Sequence, residues 1–353
     1  MPAKKKKGKK SKKKSQKKIV VKPRFGNLSI GQKMTQMRIL YANNCTELGE
    51  EPCKAILSVF RGLFNSKKKD EEPTLLERLQ VVNTELSVVQ IHSLLTTLVD
   101  YPYLKSLIFV NCNLTDDCCI PLSHYLNSNL GIETLILDGN QITADGITHV
   151  CRGLVNNTSL KNLSVSHNPL GDRGCLLLTN MLKDNLSIEE ISLRHCQIDV
   201  TGGVTLFRTL LPQPLTRIKH IDMSGNPITD ISLVAIGETI QLNKSVEAII
   251  LSNISLTNQD TSIEIFLNGL TQNSTLKQLD LSHNLMTEEQ GIFFTEHMKN
   301  IKNIVKLRMP HVIGKTALKK LITILEKNIK AAKPSKKKKG KGKGTKKKKK
   351  PKK

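Results

Sequence analysis

A pattern of apolar residues returns nine times along this chain of 353 residues, and it constrains the fold more than any other feature. Successive copies begin 28 residues apart, apart from two steps of 30 residues. The opening residues are Leu76, Leu104, Ile132, Leu160, Ile188, Ile218, Val246, Leu276 and Ile304. Repetition at this period is the signature of a solenoid, in which each copy packs against its neighbours.

Each copy combines two periodicities. In the copy that opens at Leu160, apolar residues first alternate, as at Leu163 and Val165, and then recur every three to four residues, as at Leu178 and Leu182. The alternation indicates a short strand, and the longer spacing indicates an amphipathic helix. One copy cannot bury both its strand face and its helix face. The copies must therefore stack, so that a continuous core lies between a parallel sheet and a layer of helices.

Asn or Cys recurs eight positions after most of the opening residues. The positions are Cys112, Asn140, Asn168, Cys196, Asn226 and Asn284. The backbone turns inward at this point, and such side chains can satisfy amide groups that lose contact with water. The pattern resembles the ribonuclease-inhibitor-like class of leucine-rich repeat proteins. This resemblance implies a curved α/β solenoid with parallel strands on the concave side and helices on the convex side. It implies no particular partner, because members of that class share a scaffold and bind unrelated partners.

Charge and composition predict four segments. Residues 1–24 carry 13 Lys or Arg and residues 333–353 carry 14 Lys, without any acid, in a chain whose net charge is +25. The rest holds 28 basic and 30 acidic residues, so the body is predicted to be close to neutral. Lys runs broken by Gly, Ser and Pro cannot bury apolar surface. We therefore expect disordered tails over residues 1–24 and 331–353, a capping segment over residues 25–75 and about nine repeats over residues 76–330.

The capping segment is predicted to contain one helix that covers the first repeat. Glu50, Glu51 and Pro52 favour its start. Its apolar face comprises Ile56, Leu57, Phe60, Leu63 and Phe64. The residues before this helix resemble the lead-in of some centrosomal and ciliary members of the repeat family, and they are Tyr41, Cys45, Leu48, Gly49 and Pro52.

No catalytic, cofactor or metal site is predicted. The eight cysteines contain no Cys-x-x-Cys pair, which favours buried, reduced thiols over a metal site. Ser, His and Asp are scattered at repeat spacing, and the Gly-Lys run over residues 339–344 follows no predicted strand, so we expect a non-enzymatic protein. The Lys-rich start lacks the apolar region of a secretory signal, and no run of about 18 apolar residues predicts a spanning helix.

Four histidines share the seventh position of their repeats, namely His167, His195, His283 and His311. Stacking would bring His167 beside His195 and His283 beside His311. Each pair could bind a metal or sense protons. The favoured alternative is a polar residue at the exposed end of a strand, because no third ligand recurs at this level.

The second, fourth and sixth positions of each copy should project onto the concave face. Four of these residues predict an apolar patch that binds a partner or is covered by the N-terminal segment, and they are Val82, Ile108, Val110 and Ile136. The polar residues predicted to bind a partner are Asp138, Glu190, Arg194, Asp222 and Asp280. Aromatic anchors are nearly absent, so we expect modest affinity. An inhibitor of ribonuclease would need strong concave charge and aromatic anchors, which these positions lack.

The Lys-rich tails are predicted to bind an acidic polymer, and their anion-binding residues are Lys4, Lys5, Lys6, Lys7, Lys336, Lys337, Lys338, Lys339, Lys346, Lys347, Lys348, Lys349 and Lys350. Lys in place of Arg indicates diffuse attraction rather than bidentate phosphate recognition. Acidic tubulin tails are favoured over nucleic acid and anionic membrane, while nuclear import and solubilisation remain alternatives. Lys-rich ends on a repeat body resemble those of ciliary and flagellar microtubule-associated proteins. The expected location is the cytoskeleton, in a cilium or flagellum axoneme, and the alternative is a nuclear or nucleolar RNA-associated scaffold.

Overall fold

The computed structural model describes residues 25–332 apart from residues 27, 63–74, 130 and 258. The predicted N-terminal tail and residues 333–353 of the predicted C-terminal tail lie outside the described residues, whereas residues 331 and 332 end the last helix. Nine strands form one parallel sheet whose spatial order follows the chain. They are β1 (Arg78–Val82), β2 (Ser106–Val110), β3 (Thr134–Ile136), β4 (Asn162–Ser164), β5 (Glu190–Ser192), β6 (His220–Asp222), β7 (Ala248–Ile250), β8 (Gln278–Asp280) and β9 (Lys306–Arg308). The predicted α/β solenoid is therefore confirmed.

The register of the sheet explains the sequence period. Each strand begins two residues after an opening residue, and equivalent positions pair, so that Leu79 is opposite Leu107 and Leu107 is opposite Leu135. The second residue of every strand from β1 to β8, from Leu79 to Leu279, is buried. Because side chains alternate between the two faces of a strand, the flanking residues point to the concave face.

A helix follows every strand, and each of these helices except the last returns the chain to the start of the next strand. These helices are α3 (Val88–Leu98), α4 (Cys119–Ser128), α5 (Ala144–Leu154), α6 (Gly171–Asp184), α7 (Val200–Leu210), α8 (Thr229–Ile240), α9 (Asp260–Gln272), α10 (Glu288–Met298) and α11 (Lys315–Ala332). Short 3₁₀ helices precede α4 (Asp116–Cys118) and α11 (His311–Ile313). The side chains of Ser87 and Thr287 cap α3 and α10 by accepting hydrogen bonds from the third backbone amide of each helix.

Buried asparagines join neighbouring repeats at the bend after the strand. The Nδ2 atom of Asn140 donates to the carbonyl of Phe109 in the preceding repeat at 3.0 Å, and its Oδ1 atom accepts from the amide of Cys112 at 3.0 Å. Where Cys replaces Asn, as at Cys196, the thiol donates to the carbonyl of Val165 at 3.3 Å. The sequence prediction that Asn and Cys satisfy the inward bend agrees with these contacts.

A second row of buried asparagines lies at the ends of the helices. The Nδ2 atom of Asn157 donates to the carbonyl of Leu126 at 2.8 Å, and its Oδ1 atom accepts from the amides of Ser159 and Leu160. Asn185 makes the equivalent contacts one repeat later. These bonds account for the recurrent Asn-x-Ser/Thr triplets, because Ser or Thr follows the asparagine in the same turn.

Two helices cover the first repeat, where the sequence predicts one. The predicted helix is α2 (Lys54–Gly62), and its last expected residues, Leu63 and Phe64, lie outside the described residues. The other helix is α1 (Ile30–Glu47), which packs on both α2 and α3. The two helices are joined by the Tyr41 hydroxyl, which accepts a hydrogen bond from the amide of Cys53 at 3.1 Å.

All eight cysteines are free and buried. Burial raises the pKa of the Cys151 and Cys196 thiols to about 12, which keeps them protonated near neutral pH. Within the described residues, no group of three or more His, Cys, Asp or Glu could hold a metal ion. The same part of the chain contains no helix that is both long and apolar enough to cross a bilayer.

Candidate functional site

A groove of about 350 Å³ runs along the concave face from β3 to β8. Hydroxyl groups line its middle, and aliphatic side chains lie towards its two ends. The hydroxyl residues of the middle are Ser164 and Ser192, and the aliphatic ones include Ile136, Ala248 and Ile250. An extended segment or a helix of a partner could lie across this floor, because successive strands present the same positions side by side.

Three of the predicted acidic residues are engaged within the floor of the concave face. The Oδ1 atom of Asp222 accepts from the amide of Ser224 at 3.0 Å and from its hydroxyl at 2.6 Å, and Asp280 holds Ser282 in the same way. Asp138 accepts from the Ser164 hydroxyl at 2.6 Å. Burial raises the pKa of Asp138 although this hydrogen bond opposes the shift. These carboxylates therefore hold serine side chains and amides at the ends of the strands. As a result, less acidic charge is available to a partner in the groove than the sequence predicts.

The other predicted polar residues remain accessible. Glu190 and Arg194 are both exposed, and the Nδ1 atom of His220 lies 3.1 Å from Oε1 of Glu190. The Nε atom of Arg194 lies 3.8 Å from Oδ2 of Asp222. The middle of the concave face thus carries mixed charge rather than a single sign.

The apolar patch differs from its prediction at one residue. Val82 is 38% exposed and Val110 and Ile136 are half-buried, but Ile108 is only 3% exposed, so Ile108 is not available to a partner. In the register of the sheet, Ile108 lies between Gln80 and Ile136, two long side chains on the same face. Ile136 is less covered because its neighbour on the other side is the small Ser164.

The seventh position of the repeats has a backbone conformation that the sequence analysis did not identify. In eight copies its φ lies between 49° and 72°, the left-handed region that Asn, His and Gly tolerate better than other residues. The residues are Asn83, Asn111, Gly139, His167, His195, Gly225, Asn253 and His283. The recurrence of Asn, Gly and His at this one position was the sequence signal for a left-handed backbone. The left-handed backbone of this position therefore accounts for the recurrence of histidine there.

Two of the predicted histidine neighbours are in contact. The rings of His167 and His195 stack with their centres 4.7 Å apart, and His195 also packs against Gly225, where a Cβ atom would overlap the ring. His311 instead begins a 3₁₀ helix. Burial, His167 and Arg194 lower the pKa of His195, in that order, while Asp222 opposes the shift.

We expect the pKa of His195 to lie below its ordinary value of 6.5 and to rise when His167 is changed to Asn, which keeps the left-handed backbone but removes the electrostatic effect of the neighbouring imidazole. Because folding lowers the pKa of His195 in the unaltered chain, its imidazole binds a proton more readily in the unfolded chain than in the folded chain. The contribution of His195 to stability is present above about pH 6.5 and is lost as the pH falls below it. NMR titration of the imidazole protons measures the shift, with His283→Asn as the control. An unchanged His195 pKa in His167→Asn contradicts the prediction.

Comparison with known proteins agrees with this architecture. The family described as "Leucine Rich repeat" matches residues 156–178, 216–237 and 272–288. Pig (Sus scrofa) ribonuclease inhibitor is 30% identical over 158 residues, which are 43% of this chain and 33% of that protein. The chain carries leucine-rich repeats and is similar to ribonuclease inhibitor over this part of its length.

Other similarities of this leucine-rich repeat protein are also partial. Human (Homo sapiens) NACHT, LRR and PYD domains-containing protein 5 is 34% identical over 149 residues, which are 42% of this chain and 12% of that protein. The solved structure titled "Crystal structure of Rad7 and Elc1 complex in yeast" has a TM-score of 0.47 and 14% identity, covering 65% of this chain and 56% of that one. This leucine-rich repeat protein therefore spans a third or less of the two curated relatives named here.

A row of alternating charge runs along one edge of the leucine-rich repeat solenoid, and the sequence analysis missed it. The position directly after the opening residue holds Glu77, Lys105, Glu133, Lys161, Glu189, Lys219, Glu247 and Lys277. Lys161 lies 2.8 Å from Glu133 and Lys219 lies 2.6 Å from Glu189. Hydrogen bonds from Lys161 and Lys105 hold the pKa of Glu133 below its usual range. Each exposed ion pair contributes little to the stability of the fold. The row as a whole favours stacking in which a Glu repeat lies beside a Lys repeat.

Proposed function

We propose that this chain is a non-enzymatic protein-interaction scaffold whose concave groove binds a segment of a partner protein. The observation that supports the proposal is the groove itself, which is open, continuous across β3 to β8 and formed by one sheet. Leucine-rich repeat solenoids commonly present such extended concave surfaces for binding.

The composition of the groove suggests the chemistry of its partner. Ile136 and Ile250 offer apolar contacts at separate points, and the hydroxyl groups of Ser164 and Ser192 between them can pair with backbone amides or carbonyls of a bound segment. Glu190 adds one accessible carboxylate. The lining contains no aromatic ring other than that of His220, so affinity is expected to come from many small contacts.

The Lys-rich tails supply the second part of the proposal. We infer that residues 1–24 and 333–353 hold the scaffold to an acidic surface, with the tubulin tails of a cilium or flagellum favoured. The 13 and 14 basic residues of these segments, present without any acid, support this inference. The alternative is a nuclear or nucleolar RNA-associated scaffold, for which the same charges would contact phosphates.

Proximity labelling in ciliated cells tests both parts with four chains. The groove variant carries Glu190→Arg and Ile250→Arg, and its matched control carries Glu264→Arg and Ile231→Arg on the convex helices. The other two chains are the unaltered chain and one that lacks both tails. The groove variant is expected to lose at least one strongly labelled protein, by about tenfold or more, since two buried or misplaced charges cost several kcal/mol in an interface. The convex control is expected to keep that protein.

The tail-less chain is expected to lose labelling of axonemal proteins while keeping the groove partner. Co-sedimentation of the purified chains with microtubules should fall in the same way and should weaken with added salt. Loss of association with RNA, without an effect on microtubules, supports the nuclear alternative. Labelling that all four chains share would contradict the scaffold proposal.

A further inference from the structure

Positive charge is concentrated on the last repeat as well as in the tails. Residues 299–332 contain nine Lys or Arg and one Glu, whereas residues 25–298 contain 19 Lys or Arg and 29 Asp or Glu. The folded body is therefore not evenly neutral, as its total charge suggests. It has a basic end and an acidic remainder.

The basic side chains of this end all face water, and most have no acidic partner in the part of the chain that the structure describes. All nine are exposed. Three pair with carboxylates, since Lys299 and Lys320 contact Glu296 and Arg308 contacts Asp280. Among the described residues, no ion pair engages the other six, which are Lys302, Lys306, Lys315, Lys319, Lys327 and Lys330.

The same end exposes apolar surface. Helix α11 packs on α10 through buried Ala317 and Leu321, and its Asn328 donates to the carbonyls of Ile301 and Ile304 at 2.9 Å. A second apolar stripe follows the spacing i, i+4, i+7 and i+11, which places its residues on one side of the helix. It consists of Leu318, Ile322, Leu325 and Ile329.

This stripe lies where a further repeat would pack. Strand β9 pairs with β8, and its middle residue Leu307 is half-buried, although the equivalent residues of β1 to β8 are buried. Leu318 and Leu325 are half-buried, but Ile322 is 56% exposed and Ile329 is 40% exposed. Recessed and protruding side chains alternate, which suits the ridges of another helix better than a flat bilayer. Residues 333–353 hold no large apolar side chain that could cover it.

We propose that this C-terminal face, formed by α11 and β9, docks an acidic amphipathic helix of a partner protein. The helix packs its apolar residues on the stripe as α10 packs on the opposite side of α11. Its acidic flank meets Lys315, Lys319 and Lys330, which share the side of α11 next to the stripe. This docking surface is separate from the concave groove, and it does not rest on the function proposed for that groove.

A labelled synthetic helix of about five turns tests the proposal on the full chain. The patterned peptide has Leu at i, i+4, i+7 and i+11 with Glu on both flanks, and the scattered peptide has the same composition without the stripe. Because both peptides carry the same charge, the Lys-rich tails attract both. Fluorescence anisotropy is expected to show that the patterned peptide binds at least about tenfold more tightly, as burial of two to four aliphatic side chains predicts.

Variants then locate the site. The double change Ile322→Ser and Ile329→Ser is expected to remove the tenfold preference. The matched control, Ile231→Ser with Leu176→Ser, changes residues that are 54% and 45% exposed on other helices and is expected to keep it. Changing Lys319 and Lys330 to Glu should weaken the patterned peptide more than it weakens a version with Lys flanks. Urea unfolding checks that the variants stay folded.

Three outcomes overturn the proposal. Equal binding of the two peptides assigns the attraction to charge alone. Stripe-dependent binding to phosphatidylserine vesicles, without a peptide preference, assigns the face to a membrane. Self-association that the Ile322→Ser and Ile329→Ser change abolishes, measured by sedimentation velocity, assigns it to a second copy of this chain.

Discussion

Replacing Asn226 with Ala is expected to destabilise the folded chain by about 3–5 kcal/mol, because it leaves several buried backbone groups without partners. Asn226 is fully buried. Its Nδ2 atom donates to the carbonyls of Leu193 at 2.7 Å and Met223 at 2.8 Å. Its Oδ1 atom accepts from the amides of Cys196 at 2.9 Å and Ile198 at 3.1 Å.

Equilibrium unfolding in urea measures this loss against two comparison variants. Asn226→Cys should fall between Ala and the native residue in stability. Cys112 and Cys196 occupy the same position, and the single S–H of each lies within hydrogen-bonding distance of two carbonyl oxygens. Asn156→Ala changes an exposed asparagine and should shift stability by no more than about 0.5 kcal/mol. If Asn226→Ala were as mild as Asn156→Ala, the buried asparagines would not hold the repeats together.

Replacing Gly269 with Ala is expected to destabilise the chain by about 2–4 kcal/mol, although Ala is the better helix former by about 1 kcal/mol. Helices α8 and α9 meet through their glycines. A Cβ atom at Gly269 would lie 2.7 Å from the Cα atom of Gly237, and one at Gly237 would lie 2.7 Å from the Cα atom of Phe266. The obstacle is backbone, so the two helices must move apart to make room.

The neighbouring position provides the control for this second prediction. Asn268 is exposed on the same turn of α9, and Asn268→Ala is expected to be neutral or stabilising by a few tenths of a kcal/mol from helix propensity. Thermal unfolding and amide hydrogen exchange of the two variants separate the effects. Faster exchange confined to α8, α9 and the adjacent strands should accompany Gly269→Ala, since each repeat depends on its neighbours. A stabilised Gly269→Ala protein would contradict the close approach of the helices.

The repeat architecture was predicted from the sequence, but the first helix was not. Strand and helix periods recur nine times, so each copy supports the assignment of the others. Helix α1 occurs once, and its buried face combines Met34, Met37, Tyr41 and Cys45 with the stem of Lys33. The Nζ atom of Lys33 lies 5.0 Å from the centre of the Tyr103 ring. A lysine that is buried through contact with a distant aromatic ring gives no local apolar signal.

The sequence predicted which residues lie on the concave face, but it did not predict which of their side chains are accessible to a partner. Alternation placed Ile108 and Asp280 on the concave side, which depends only on strand geometry. Their availability depends on neighbours in other repeats. Gln80 and Ile136 flank Ile108, whereas Arg308 and Ser282 occupy the oxygens of Asp280. The open stripe of α11 likewise follows from the absence of a tenth strand among the described residues, and the spacing of Ile322 and Ile329 alone does not reveal it.

The edge row of Glu and Lys makes neighbouring repeats similar in shape but opposite in sign. Removing residues 160–187 would place Glu133 beside Glu189, whereas removing residues 160–217 would place Glu133 beside Lys219. Shortening the solenoid by an even number of units thus preserves attraction along the edge, and shortening it by one creates repulsion. In electrostatic terms, the module that can be exchanged is a pair of repeats.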